Sequence, residues 1–220
     1  MALLLSFEAG VTVLSERGIQ KALKSQYGMP DNIKVSVNSF PLTVSLVRNH
    51  LGQVKITWQA QAMMTTQDGK ETDSDYFGQI NLYDVELDMP ALIRTSLAIR
   101  QISRVKAAII LDQENLDSAL GLEPGSLSIS DGHLQEAKSN PKLEYKVKVS
   151  GGDTISLEPL SGYSGDSDSP KNPQSAVQQA SATINADELP LQASFQSASI
   201  EGDYLVIDIA IPIWEGYIQI

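Results

Sequence analysis

The chain has no cysteine, only two histidines (His50 and His133), and aromatic residues at just 6%. Each scarcity removes a class of chemistry. Without thiols there is no disulfide, no thiolate nucleophile and no zinc–thiolate centre. The lack of cysteine fits either redox compartment. Cations are also few: 16 Lys and Arg face 27 Asp and Glu, a formal charge of −11. Phosphate backbones are held by Lys and Arg, so this balance argues against a nucleic-acid partner. It also disfavours broad attraction to anionic membrane surfaces. The local group Arg100, Arg104 and Lys106 reads as a solvated strand face. No segment approaches the roughly 18 apolar residues of a membrane span. The N-terminal Met-Ala-Leu-Leu-Leu meets Ser6 and Glu8. It lacks a basic stretch and is too short for a secretion signal. Two readings stand: a cytosolic protein, or a chain that starts just after a signal or anchor.

What is present is a globular composition. With 220 residues, 42% of them apolar and 20% charged, the chain suffices for one substantial core. Residues 6–27 read as a helix. Phe7, Val11, Leu14 and Ala22 recur near helical spacing, Ile19, Leu23 and Tyr27 form an adjoining row, and Gly28 and Pro30 stop it. Ile33–Asn38 alternates as a short strand. Pro41 opens a short helix ending near Gly52, which would place His50 at a helix terminus.

Turn dipeptides then punctuate the chain. Asp68-Gly69, Asp131-Gly132, Gly151-Gly152 and Gly202-Asp203 each lie between alternating apolar and polar runs, the pattern of β-hairpins. The runs around Asp68-Gly69 reach about 13 residues, or roughly 40 Å, far beyond the usual strand. Strands that long twist and coil. Short helices are expected at Pro90–Leu97, at Asp112–Leu120 with Asp112 as N-cap, and around Leu189-Pro190-Leu191. The expected fold class is α+β: a long curved antiparallel sheet, a meander, wrapped around a long N-terminal helix, with short helices at strand ends. It forms a single domain over 1–220, with a polar loop at 161–175.

Candidates for chemistry are thin. Neither histidine has a sequence neighbour at metal-ligand spacing, so both read as structural. Gly162-Tyr163-Ser164-Gly165 has the wrong spacing and setting for a nucleophile elbow. Asp73 with Asp75, and Asp166 with Asp168, are short of the ligands a calcium loop needs. These readings favour a protein that is not an enzyme and uses no cofactor or metal.

The apolar stripes say more. Val54, Ile56 and Trp58 share one strand face, as do Val105, Ala107, Ile109 and Leu111, and Leu205, Ile207, Ile209 and Ile211. An ordinary core looks like this too. Small side chains dilute the stripes, however (Ala60, Ala62, Ala107, Ala108, Ala180, Ala182). A curled sheet lined by small groups leaves room for an apolar ligand.

The order of segments carries a resemblance. After a long helix come Ile33-Lys-Val-Ser-Val-Asn-Ser-Phe-Pro41, Gly52-Gln-Val-Lys-Ile56 and a long hairpin. Then follow Ile80-Asn-Leu-Tyr-Asp-Val-Glu-Leu87, Asp112-Gln-Glu-Asn-Leu-Asp-Ser-Ala-Leu120, Leu189-Pro-Leu191, Ser197–Ile200 and Gly202-Asp203. From about residue 7 to 211 this resembles the LmeA-like phospholipid-binding family of bacterial envelope proteins. The resemblance implies a tubular lipid-binding-like fold, with an apolar groove between helix and concave sheet. It also implies an extracytoplasmic location in the cell envelope. The expected ligand is a phospholipid or other acyl-chain lipid, either only bound or bound and transferred, without catalysis, with peripheral membrane contact and no nucleic acid. Phe40, Leu42 and Leu46 are the expected gate; Val105, Ile109, Leu205 and Ile209 are the expected groove wall. The rival reading is an envelope interaction module with a packed core, its interface at an exposed edge near Trp214–Ile220.

Overall fold

A computed structural model describes residues 2–39, 41–88, 99–139, 143–160, 177, 180–184, 189–215 and 217–218, with side chains at all of these except 2–11, 43, 46 and 215. In chain order the elements are α1 (Ala2–Tyr27), β1 (Lys34–Val37), α2 (Leu42–Val47), β2 (His50–Thr66), β3 (Glu71–Leu87), β4 (Ile99–Gln101), β5 (Arg104–Leu111) and α3 (Gln113–Ala119). They continue with β6 (Leu127–Ser130), β7 (His133–Glu136), β8 (Glu144–Ser150), β9 (Thr154–Pro159), β10 (Ser181–Ile184), a 3₁₀ turn (Pro190–Gln192), β11 (Ser194–Glu201), β12 (Tyr204–Ala210) and α4 (Pro212–Glu215). The expected helix at Pro90–Leu97 and loop at 161–175 lie outside the described residues.

The fold is α+β, built on one twelve-stranded sheet with the order β11-β12-β5-β3-β2-β10-β9-β8-β7-β6. Strand β1 adds to β2 and β4 adds to β3, every pairing antiparallel. All four expected hairpins form, and β2 and β3 are longer than expected at 17 residues each. At ~3.3 Å per residue each spans about 56 Å, and such a ribbon coils. The sheet therefore rolls. Its edge strand β11 packs against β8, and the Phe195 N–H donates to the Gly152 carbonyl at 2.6 Å, in the turn between β8 and β9.

Alternation gives the roll one apolar inner face. It comprises Val54, Ile56, Trp58, Ala62 and Met64 of β2; Tyr76, Ile80 and Leu82 of β3; Ile109 and Leu111 of β5; and Leu205, Ile207 and Ile209 of β12, all buried. At Gly52 and Asp84 the alternation slips in both strands together. Leu51 and Val85 are buried alongside Val54 and Leu82, and Asp84 adopts φ 50. This corrects the sequence reading of His50 as a helix terminus. His50 opens β2, with its Nε2 3.7 Å from Asp84 Oδ1.

Helix α1 lies antiparallel to β1. Gln20 Nε2 donates to the Ile33 carbonyl, and Glu16 Oε1 accepts the Val37 N–H at 3.0 Å. Ile19, Ala22 and Leu23 are buried beneath it. The C-terminal segment also departs from expectation. Instead of an exposed edge, Trp214 is buried, with its ring edge-on to Tyr27 at 6.1 Å, and Ile218 bridges Ile102.

Asp112 caps α3 as expected, its Oδ1 accepting the Asn115 N–H at 2.9 Å. Asp112→Ala removes that acceptor and should lower stability by about 1 kcal/mol, read as a shift of the urea midpoint at unchanged slope.

Candidate functional site

The inner face carries two hollows under α1. One is closed and wholly aliphatic, lined by Ile19, Val54, Ile56, Leu82, Val85, Leu87 and Ile99, with a volume of about 10 Å³. That is room for roughly one water or methyl group. The other is an open crevice of about 530 Å³ at the C-terminal end of α1. Tyr27, Ala60, Tyr76, Leu189, Leu191 and Ile213 give it apolar surface, and Gln26, Gln61 and Gln192 give it polar surface in similar measure. Ala60 sits where a larger residue would fill the space. The 3₁₀ turn at its lip holds Leu191 and Gln192 at φ 64 and φ 54, a left-handed pair that non-glycine residues adopt only under constraint.

In strand order Trp58 falls between the residues that line the two hollows. Along β2 the inner face runs Val54 and Ile56, then Trp58, then Ala60. Along β3 it runs Leu82 and Ile80, then Gly78, then Tyr76. Trp58 pairs directly with Gly78. A Cβ built on Gly78 would lie 2.1 Å from the indole Cε2 and Cζ2. The glycine thus exists in this strand so that the ring can lie across the backbone. Trp58 is 2% exposed, and neither its indole N–H nor that of buried Trp214 finds an acceptor among the described residues.

A third hollow, of about 750 Å³, adjoins the crevice and shares Ala60, Gln61 and Tyr76 with it. Its other lining is mostly polar: Gln59, Asp75, Asp112, Asn115 and Tyr204, with Phe77 and Ile110. Both hollows present apolar and polar groups side by side, as a site for a molecule with an oily end and a hydrated end would.

The expected wall residues all fall on β5 and β12. Ile109 pairs with Gly78 and with Ile207, so it shares a row with Trp58. Val105 pairs with Leu82, beside the closed pocket, and is half-buried against the core. Leu205 and Ile209 are buried. None of the four lines either hollow under α1. Leu42 is buried at the start of α2. Phe40 lies outside the described residues, as does the side chain of Leu46. The sequence reading missed Ala60, Tyr76, Leu191 and the Trp58–Gly78 pair as a unit. Of these, only the run of small residues that includes Ala60 was a usable signal.

The polar groups considered for chemistry are dispersed. His133 Nδ1 is 3.6 Å from Glu144 Oε2, a partner that only the β7–β8 pairing could supply. Arg104 stacks over the Tyr83 ring at 4.2 Å and Arg100 pairs with Asp88 at 3.1 Å. Among the described residues no group of His, Asp and Glu is placed to hold a metal. Among them, too, no helix is long and apolar enough to cross a membrane.

No curated protein and no solved structure matches the chain. A family profile does: that of the LmeA-like phospholipid-binding proteins, over residues 8–210. A match across nearly the whole length settles the affiliation: the chain belongs to the LmeA-like phospholipid-binding family.

Proposed function

We propose that this protein binds a phospholipid or related acyl lipid without catalysing any reaction on it. The acyl chain runs along the inner sheet face under α1, and the headgroup rests at the mouth of the crevice by Gln26, Gln61 and Gln192. The observation that carries this reading is the open crevice at the C-terminal end of α1, where Tyr27, Ala60, Tyr76, Leu191 and Ile213 line the same space as the polar Gln26, Gln61 and Gln192. Its volume falls in the range of ordinary ligand sites. Ile109 flanks Trp58 from the neighbouring strand pair, and α2, with Leu42 buried at its start, is proposed to close the other end of the track. The family resemblance makes the cell envelope the proposed location.

The deeper half of the track is closed at rest. Lifting Trp58 off Gly78 forfeits about 3–5 kcal/mol of packing. Burying acyl carbons returns about 0.8 kcal/mol each, so roughly four to six methylenes offset the displacement. A lipid with a full-length chain can therefore open the path that a short one cannot.

The test uses the protein's two tryptophans. With Trp214→Phe, Trp58 becomes the sole indole. Phospholipid brominated along its acyl chain, presented in detergent micelles, should quench most of its emission. A short-chain brominated lipid should quench it far less. Equal quenching by both, or none by either, would rule out this path.

A further inference from the structure

Glu16 sits over Val37, the last residue of β1, and Gln20 over Ile33. Because α1 and β1 run in opposite directions, the part of α1 before Glu16 extends past the strand, toward α2. Residues 2–15 make about 21 Å of helix at 1.5 Å per residue, and α1 packs on β1 and α2. The surface there is apolar in an unusual degree. Leu14 is 70% exposed and Val47 is 85% exposed, with Val13 and Val44 each nearly half exposed. Single exposed aliphatics are ordinary, but four on two adjacent helices are a patch.

Charge is segregated around it. Arg17 and Lys21 follow Leu14 on the spacing of one helical stripe, and Arg48 follows Val47. All three cations are exposed and form no ion pair among the described residues. The one acid in residues 12–27 is Glu16, whose Oε1 is turned to the Val37 N–H. Residues 41–50 contain none. In a chain of net charge −11, this is a local cationic rim around an oily tip.

We infer that the α1–α2 tip is a docking surface for a bilayer bearing anionic headgroups, with Val13, Leu14, Val44 and Val47 entering the interface and Arg17, Lys21 and Arg48 meeting the phosphates. The arrangement is that of an interfacial helix, apolar on one part and cationic beside it. The excess negative charge elsewhere would orient the molecule tip-first. The proposal rests on the lipid-binding reading above and supplies its approach to a donor or acceptor membrane.

Flotation of the full chain with vesicles tests it, using phosphatidylcholine alone and phosphatidylcholine mixed with phosphatidylglycerol. The wild type should bind the mixed vesicles better, and added salt should erode the difference. Leu14→Asp with Val47→Asp should cut binding to both vesicle types by at least about tenfold. Arg17→Gln with Arg48→Gln should cost about fivefold per cation, on mixed vesicles only. Both variants change exposed positions, and thermal unfolding checks that they fold. Micelle quenching of Trp58 should be unchanged in both, which separates failure of docking from failure of lipid binding. Wild-type flotation by the Asp variant would overturn the inference. So would a variant that leaves flotation alone but turns a dimer into a monomer, since the patch would then belong to a second copy.

Discussion

Gly78→Ala is expected to destabilise the protein by about 2–3 kcal/mol although it adds a single methyl group. The added carbon falls 2.1 Å from two atoms of the Trp58 ring, so the ring must leave its place between the closed pocket and the crevice. Neither space takes it freely: the pocket holds only about 10 Å³ and the crevice is reached past Ala60 and Tyr76. At this chain length the melting temperature should fall by about 5–10 °C. Trp58→Ala alone should cost about 3–5 kcal/mol, the usual loss for a buried aromatic. The informative measurement is the double variant. With the ring gone the three nearest atoms to the added carbon are gone, so Trp58→Ala with Gly78→Ala should be about as stable as Trp58→Ala, a coupling near the whole single-site effect. Additive losses would mean that Gly78 matters for backbone conformation and not for the ring. Trp58→Ala should also join the two hollows, so short-chain lipid, excluded by the wild type, should bind.

Asp117→Ala should cost about 3 kcal/mol, with no change in lipid quenching. Asp117 is 1% exposed. Its two oxygens accept the Gly125 N–H at 2.7 Å and the Leu127 N–H at 3.0 Å. Removing the carboxylate leaves two backbone donors stranded, each costing about 1–3 kcal/mol. Asp117→Asn should recover part of this, since its one oxygen serves one donor while its amide faces the other. Burial raises the Asp117 carboxyl above 3.8, against the lowering effect of its backbone hydrogen bonds. The folded protein therefore holds this proton more tightly than the unfolded chain. Over the interval from 3.8 up to the raised native value, stability contributed by this group falls as pH rises, and it is level above that interval. Unfolding free energies of wild type and Asp117→Asn measured across mildly acidic pH should diverge in that sense. Parallel curves would show that the carboxyl is solvated.

The hairpins, the capped helix α3 and the inner-face stripes were readable because each depends on neighbours in sequence: a turn dipeptide, an N-cap oxygen, a period of two. The Trp58–Gly78 pair shows where such reading stops. A two-residue turn at Asp68-Gly69 would set Trp58 against Gln79. The actual turn is wider, with the Thr66 N–H donating to the Lys70 carbonyl, and it moves the register by one position onto Gly78. His50 was misread for a related reason, because the chain straightens into β2 before Gly52 instead of after it. Partners that come from across the sheet, such as Glu144 for His133, follow from topology alone. Of the site, the concave face was legible, whereas the crevice depends on where α1, the 3₁₀ turn and α4 converge.

The order of strands has a consequence for how the protein is made. Strand β5 takes its outer neighbour from β12, Ile109 against Ile207, about a hundred residues later, and contacts so distant in sequence slow folding. A ribosome releasing this chain would have exposed β2, β3 and β5 long before their closing hairpin emerged. For that interval the oily inner surface lies open on one flank, and a chaperone or an early lipid would find it there.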